Sequence, residues 1–455
     1  MTNSTRRQFL KRSLGAAGAL TTAASMGLNL SLSSRVMAQS SARFNDHKAL
    51  VCVFLYGGND SYNLLVPTEV SDYQTYQSVR QNLAYPRETL LPITPNSPQP
   101  YALGMPAEAT SLHSLFTQNK LSVVANIGPM AQPITKSMLQ NNASLLPPQL
   151  FSHNDQQSLW QSSTMNTSSR TGWGGRMADL IADTNDTLSM NLSLFGSNLM
   201  QAGTVVQPFA ISPDGPEAMV ALDANQDWNS QRVQVFQPLM QQAQHPLELA
   251  YANKIRSAEQ NNQRILDALE TVTPSTVTFP FGNELGEQLQ MVASLIATQP
   301  LLGQRRQIYF VGMGGWDTHD AQAQLHPQLL GRLGDALKAF QDDLTARGIS
   351  QNVVTFTLSE FGRTLTSNGD GTDHGWGGHQ LVMGDAINGG DVLGQLPSLA
   401  LNSDDDIGDG RMIPTLSIEH MGHNLASWFG LSNNELDAVF PNASRFDMEM
   451  LRLFS

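Results

Sequence analysis

Five apolar runs without alternation recur at long intervals in this chain. They cover residues 50–56, 121–127, 307–311, 352–358 and 380–383. The first closes on Gly57-Gly58, the second on Gly128-Pro129 and the third on Gly312-Met313-Gly314-Gly315. The fourth closes on Ser359-Glu360 and the fifth on Gly384. A strand with one wet face alternates polar and apolar residues. A continuous run needs burial on both faces, as in a parallel sheet covered by helices. Between the third and fourth runs, Leu329, Leu330, Leu333, Leu337, Phe340 and Leu344 share one face of a helix predicted over 327–346, with Gly348 as its stop. Strand, helix and strand in that order form a crossover unit. A weaker helical pattern covers 106–118, and 284–296 reads as another helix. The Gln-, Leu- and Ala-rich stretch at about 229–300 reads as a mainly helical insert. The expected fold class is α/β: a doubly wound, mostly parallel sheet flanked by helices.

The N-terminus carries an address. Ser4-Thr5-Arg6-Arg7-Gln8-Phe9-Leu10-Lys11 looks like a twin-arginine export signal. A weakly apolar stretch over 14–32 follows and ends at Val36-Met37-Ala38, an A-x-A-like cleavage site. Gly15, Gly18, Ser25, Gly27 and Asn29 interrupt that stretch, which argues against a membrane span. The reading is a signal peptide over 1–38, then a single domain over 39–455, periplasmic and free of the membrane after cleavage. Removing Arg6, Arg7, Lys11, Arg12 and Arg35 makes a chain of net charge −13 more acidic still. Such a chain is a poor partner for nucleic acid or anionic lipid. Cys52 is the one cysteine, so no intrachain disulfide can form, and its place inside the first run marks it as a small buried hydrophobe.

Acids and histidines gather just beyond the predicted strands. Asp60 follows Gly57-Gly58, as a metal-ligating carboxylate or as a turn residue capping the next helix. Asp317 and His319 stand at i and i+2, on one face if extended, so both can meet one metal; either Asp317 or Thr318 could instead cap a helix. Glu360 follows the fourth run, where Ser359 could also start a helix. Arg363 supplies a guanidinium suited to an oxyanion. Asp373, His374 and His379 lie in a loop too rich in glycine to be helical, a setting that favours ligation. Carboxylate and imidazole at the carboxyl ends of strands together point to a metal-dependent site.

The segments LVCVFLYGGNDSYNLLVP at 50–67, GWDTH, SEFGRT, TDHGWGGH and GRMIPT resemble the domain-of-unknown-function 1501 family, as do Ser152-His153, TGWGGR at 171–176 and AVFP at 438–441. The likeness runs in order along nearly the whole chain after the signal. That family is itself similar to the alkaline phosphatase and sulfatase superfamily. The resemblance implies an alkaline-phosphatase-like core with metal ligands at strand ends. Under it Asp60 resembles the first-strand ligand, and Asp317 and His319 resemble an Asp-and-His pair. Glu360 falls where the superfamily places the Asp of an Asp-His pair, but Phe361 replaces the histidine. His374, or else His379, is the late histidine. Ser152, at a predicted helix start, is the candidate nucleophile, and Arg363 or Arg176 would steady the transferred group.

These readings give an exported metal-dependent hydrolase of phosphate or sulfate esters, with one or two divalent ions, zinc foremost, and a small anionic ester as substrate. The alternative is a non-catalytic exported protein of the same fold that binds a metal or an exported protein partner. A metal-free serine hydrolase is disfavoured, since no G-x-S-x-G elbow is present. Oligomeric state leaves no mark in the sequence.

Overall fold

The computed structural model describes residues 43–181, 188–216, 229–242 and 245–455. The twin-arginine segment and the expected cleavage site lie outside them. In chain order the strands are β1 (Lys48–Leu55), β2 (Val66–Pro67), β3 (Leu91–Ile93), β4 (Leu103–Met105), β5 (Leu121–Gly128), β6 (Asn191–Ser193), β7 (Phe209–Ala210), β8 (Arg306–Met313), β9 (Val353–Leu358), β10 (Gly378–Met383), β11 (Val392–Leu393) and β12 (Leu416–Ser417). Nine of them form one sheet in the order β11-β5-β10-β9-β1-β8-β6-β7, with β12 also on β5. The three short strands β2, β4 and β3 form a second, small sheet.

All five apolar runs are strands of the large sheet, and the reason is visible in β1. Ala49, Val51, Val53 and Leu55 enter one core, with Leu289 and Val292 of the helix Glu284–Ala297 and Leu333 and Leu337 of the helix Gln322–Ala346. Leu50, Cys52 and Phe54 enter the opposite core, with Met177 of the helix Trp173–Ile181 and Met421 and Leu425 of the helix Ile418–Phe429. Helices on both faces leave no wet side, so the strand cannot alternate. The apolar side chains of β1 are at most 1% exposed. At about 2 kcal/mol for each large one, they contribute on the order of 10 kcal/mol, an upper estimate.

β1 runs parallel to both its neighbours, β8 and β9. β10 is antiparallel to both of its own, β9 and β5, and Gly378 at its start pairs with Ile127 near the end of β5. A run buried on both faces carries no signal of direction, so the sequence could not reveal this reversal. Its consequence is positional. The amino end of β10 joins the carboxyl ends of β1, β5, β8 and β9 on a single rim.

The long helix begins at Gln322, not at Pro327, and carries that proline inside it. Gln322 and His326 continue the buried face of Leu330 at i, i+4 spacing, both 1% exposed. Being polar, they are invisible to apolar periodicity. Gly348 closes the helix with φ +71°, as expected of a left-handed stop. The stretch expected to be mainly helical contains the helices Ser230–Gln242, Pro246–Leu269, Glu284–Ala297 and Gln299–Leu302. Among the described residues, no helix is long and apolar enough to cross a membrane.

Candidate metal centre

The rim is fastened at Gly57. Its φ of +123° turns the chain sharply after β1, and a Cβ there would collide with the backbone of Trp316 and Asp317. Its amide donates to Glu360 Oε1 at 2.9 Å, and its carbonyl accepts from Arg363 Nη1 at 3.0 Å. The loops after β1, β8 and β9 therefore meet at one residue.

Beside it, three segments bring together His153, Asp317 and His374, whose ligand atoms all lie within 4.8 Å of one another. His153 opens the helix His153–Ser162, Asp317 follows β8, and His374 precedes β10. His153 Nε2 stands 3.4 Å from Asp317 Oδ2, and His374 Nε2 stands 3.3 Å from Asp317 Oδ1. His319 adjoins them, its Nε2 3.1 Å from Asp317 Oδ1 and 2.9 Å from His374 Nε2.

The other nitrogen of every ring is taken by an oxygen. His153 Nδ1 meets Glu360 Oε1 at 2.9 Å, His319 Nδ1 meets Asp373 Oδ1 at 3.2 Å, and His374 Nδ1 meets the carbonyl of Phe151 at 2.8 Å. An oxygen acceptor holds the ring proton on Nδ1, which leaves Nε2 as a lone pair. All three Nε2 atoms face one carboxylate, positions from which neutral rings could ligate an ion. Metal-binding histidines are characteristically held this way, by a carboxylate or a carbonyl on the far nitrogen. The spacing also fits. Tetrahedral ligands about 2.0–2.1 Å from a zinc ion stand about 3.3 Å apart. Asp317, His153 and His374 are thus a group that could hold such an ion, with His319 adjoining it.

The electrostatics differ from ring to ring. Burial opposes ionisation of Asp317, but the Arg363 hydrogen bond and charge, aided by His319 and His153, hold its carboxyl below the ordinary range. The hydrogen bond that His153 donates to Glu360 raises its ring above the usual value against the pull of burial. Burial lowers His374, so its imidazole is held neutral. Side-chain exposures of 43% for Asp317 and 33% for His153 leave the cluster open to solute.

The residues singled out from the sequence fall into three groups. Asp317, His319 and His374 come together. Glu360 sits behind them, fully buried, where its Oε1 accepts from Gly57, His153 and Gln157. Phe361 stacks on His374 with ring centroids 4.4 Å apart and packs on His153 at 5.0 Å, so it walls one side of the cluster.

Asp60 and His379 are engaged elsewhere. The Asp60 carboxylate pairs with Arg80 and accepts from Gln322, and it is fully buried. His379 Nδ1 accepts the Asn126 amide at 3.0 Å and its ring packs edge-on against Tyr62, 4.8 Å between centroids.

The proposed catalytic groups also separate. Arg176 donates to the carbonyls of Ser162, Thr171 and Val439, so its guanidinium binds backbone. Arg363 is fully buried and donates to Asp317, Gly57 and Thr372, so it orients the Asp317 carboxylate. Ser152 is the N-cap of its helix, between Phe151, which holds His374, and His153, and its side chain makes no cap bond. His153 is the ligand candidate that sequence reasoning passed over. Its signal was present in Ser152-His153, but no other histidine stands near it in sequence to mark it.

The family model that matches this chain is described as DUF1501, a protein of unknown function, and it covers residues 47–407. No curated protein matches the chain. Among solved structures, PsFucS1 sulfatase from Pseudoalteromonas sp. is similar over 88% of this chain and 72% of its own, with 9% identity and a TM-score of 0.35. The zinc complex of the C-terminal periplasmic domain of EcEptC from Escherichia coli is similar over 86% of this chain and 84% of its own, with 10% identity and a TM-score of 0.33. A mutant of the alkaline phosphatase PafA is similar over 70% of this chain and 64% of its own, with 12% identity and a TM-score of 0.29.

Proposed function

This chain belongs to the DUF1501 family, and we propose that it is an exported metal-dependent hydrolase of phosphate or sulfate esters. One observation carries the proposal: three imidazoles, each with Nδ1 held by an oxygen, direct Nε2 toward the Asp317 carboxylate. His153, Asp317 and His374, with His319, would hold a divalent ion, zinc first by donor chemistry. Such an ion would supply Lewis-acid stabilisation of the charge that develops on the ester oxygens.

The protein's own groups set up the rest. Glu360 and the Phe151 carbonyl fix the rings of His153 and His374. Arg363 keeps Asp317 ionised and aimed at the centre. Phe361 excludes water from one side of the His374 ring. Ser152 is the candidate nucleophile, adjacent to His153 at a helix start whose free amides favour an anion. Export rests on the Arg6-Arg7 segment and the Val36-Met37-Ala38 site. A small anionic ester is the proposed substrate.

The test has two parts. Full chain purified without chelator should carry about one equivalent of metal, and His153→Ala should lose it. With metal bound, a panel of aryl phosphates and sulfates should be turned over, and Ser152→Ala should abolish that turnover. Absence of metal from the unmodified chain overturns the proposal.

A non-catalytic metal-binding role is the second reading. It is favoured by Arg363, whose donors are spent on protein, and by Phe361, which fills the place of a further ligand. A metal-loaded chain that turns over nothing in the panel would select it.

A further inference from the structure

Behind the cluster lies a buried polar chain that neither the ligands nor Ser152 explain. Asp60, Arg80, Thr318, Gln322, Arg363 and Thr372 are each at most 1% exposed. Arg363 Nε donates to Thr372 Oγ1 at 3.2 Å, and that hydroxyl donates to Gln322 Oε1 at 2.6 Å. Thr318 Oγ1 donates to the same Gln322 oxygen at 3.1 Å. Gln322 Nε2 donates in turn to Asp60 Oδ2. Arg80 pairs with Asp60 and also donates to the carbonyls of Thr364 and Leu365, at 3.0 and 3.1 Å.

The direction of this chain is forced. An ionised carboxylate only accepts, so Asp60 must face the amide nitrogen of Gln322. The amide oxygen must then face the two threonines. Thr318 lies between Asp317 and His319, and Thr372 lies two residues before His374. The Thr372 amide also donates to the Thr318 carbonyl at 3.2 Å. One planar group, anchored on a neutralised buried acid, therefore grips both segments that carry candidate ligands.

We propose that Gln322, anchored on the Asp60–Arg80 pair, is the positioning residue that sets the distance between the Asp317/His319 and His374 segments. The inference rests on the metal reading above. It assigns the carboxylate after the first strand to holding the site's frame. A ligand pair set a few tenths of an ångström too wide binds its ion more weakly, and partners behind metal ligands typically govern affinity by 10–100-fold.

The test replaces the two hydroxyls and leaves Gln322 and the ion pair in place. Thr318→Val/Thr372→Val removes both hydrogen bonds to Gln322, and with them the one that Thr372 accepts from Arg363, at nearly constant volume, and Thr318→Ser/Thr372→Ser restores them. Zinc affinity of the full chain is read by competition with a chromogenic chelator, and ligand geometry by the visible spectrum of the Co2+ form. The valine pair should bind zinc about 10–100-fold more weakly with an altered Co2+ spectrum, and the serine pair should return to within a few-fold of the parent. If the valine pair does not fold, Thr372→Val alone should show a partial loss. Unchanged affinity and spectrum in a folded valine variant overturn the inference while the metal reading stands. A parent chain that takes up neither zinc nor Co2+ overturns both.

Discussion

A glycine can be indispensable for lack of space or merely for its backbone angle, and positions 57 and 348 separate the two cases. Gly348 has φ +71° and nothing within 4 Å of a built Cβ. Gly348→Ala should cost about 1 kcal/mol, the penalty of the left-handed region, and leave metal binding unchanged. At Gly57 a Cβ would strike the backbone that carries Asp317, and backbone cannot rotate aside. Gly57→Ala should therefore abolish metal binding and lower the melting temperature far more than the change at 348; equal effects in thermal melts would contradict this account. Glu360 poses a subtler question. Glu360→Gln keeps the shape that Gly57 and Gln157 contact but removes the charge facing His153. Zinc affinity should fall about 10–100-fold with the fold intact, measured by chelator competition. The sequence marked Glu360 as a residue of the site but could not say whether it touches the ion or the imidazole. That distinction depends on His153, which a different element delivers.

At the scale of elements, the strands were legible because helices cover both faces of the sheet and force unbroken apolar runs. What stayed hidden was whatever polar groups do inside the core. Gln322 and His326 extend a buried helix face, and Arg80 reaches across to Asp60, twenty positions away in sequence. The reversal of β10 was equally silent, yet it delivers His374 to the rim. Arg176 shows how a plausible functional residue can be structural. It lies in the glycine-rich Thr171–Arg176 motif, and its guanidinium donates to Ser162 at the end of one helix and to Val439 at the end of another, with Thr171 between them. A cation at helix C-termini satisfies carbonyls that lack intrahelical partners. Burial depresses Arg176 to about 10, which still leaves it charged at neutral pH. Arg176→Met should cost at least about 3 kcal/mol in urea unfolding, because it abandons three carbonyls at about 1–3 kcal/mol each. Metal content and ester turnover should not change, and loss of turnover with metal retained in a folded Arg176→Met protein would return this residue to the site.

Over the whole molecule, the response to acid follows from histidines that the core keeps neutral. Burial lowers His47 and His326 to about 4 and His379 to about 3, from a usual 6.5. Their surroundings only partly offset that cost: the Gln307 hydrogen bond for His47, and the charge of Asp60 for His326 and His379. The sign follows from proton counting. Below pH 6.5 the unfolded chain binds a proton at each of these positions and the folded chain does not, so stability falls as pH falls. The loss begins near 6.5 and continues until each folded value is reached, near 4 or 3. At pH 5 each histidine has cost about 2 kcal/mol, or roughly 6 kcal/mol for the three. His153 pulls the other way, since Glu360 raises it, but it is one residue and a third exposed. Against a typical folding stability of about 5–15 kcal/mol, the metal-free chain should approach its unfolding threshold at pH 5. Urea midpoints of metal-free protein at pH 7 and pH 5 measure this directly. His379→Gln, which keeps an acceptor for Asn126, should remove about a third of the difference. Identical midpoints at the two pH values would mean that these rings are protonated in the fold, contrary to their burial at 8% exposure or less.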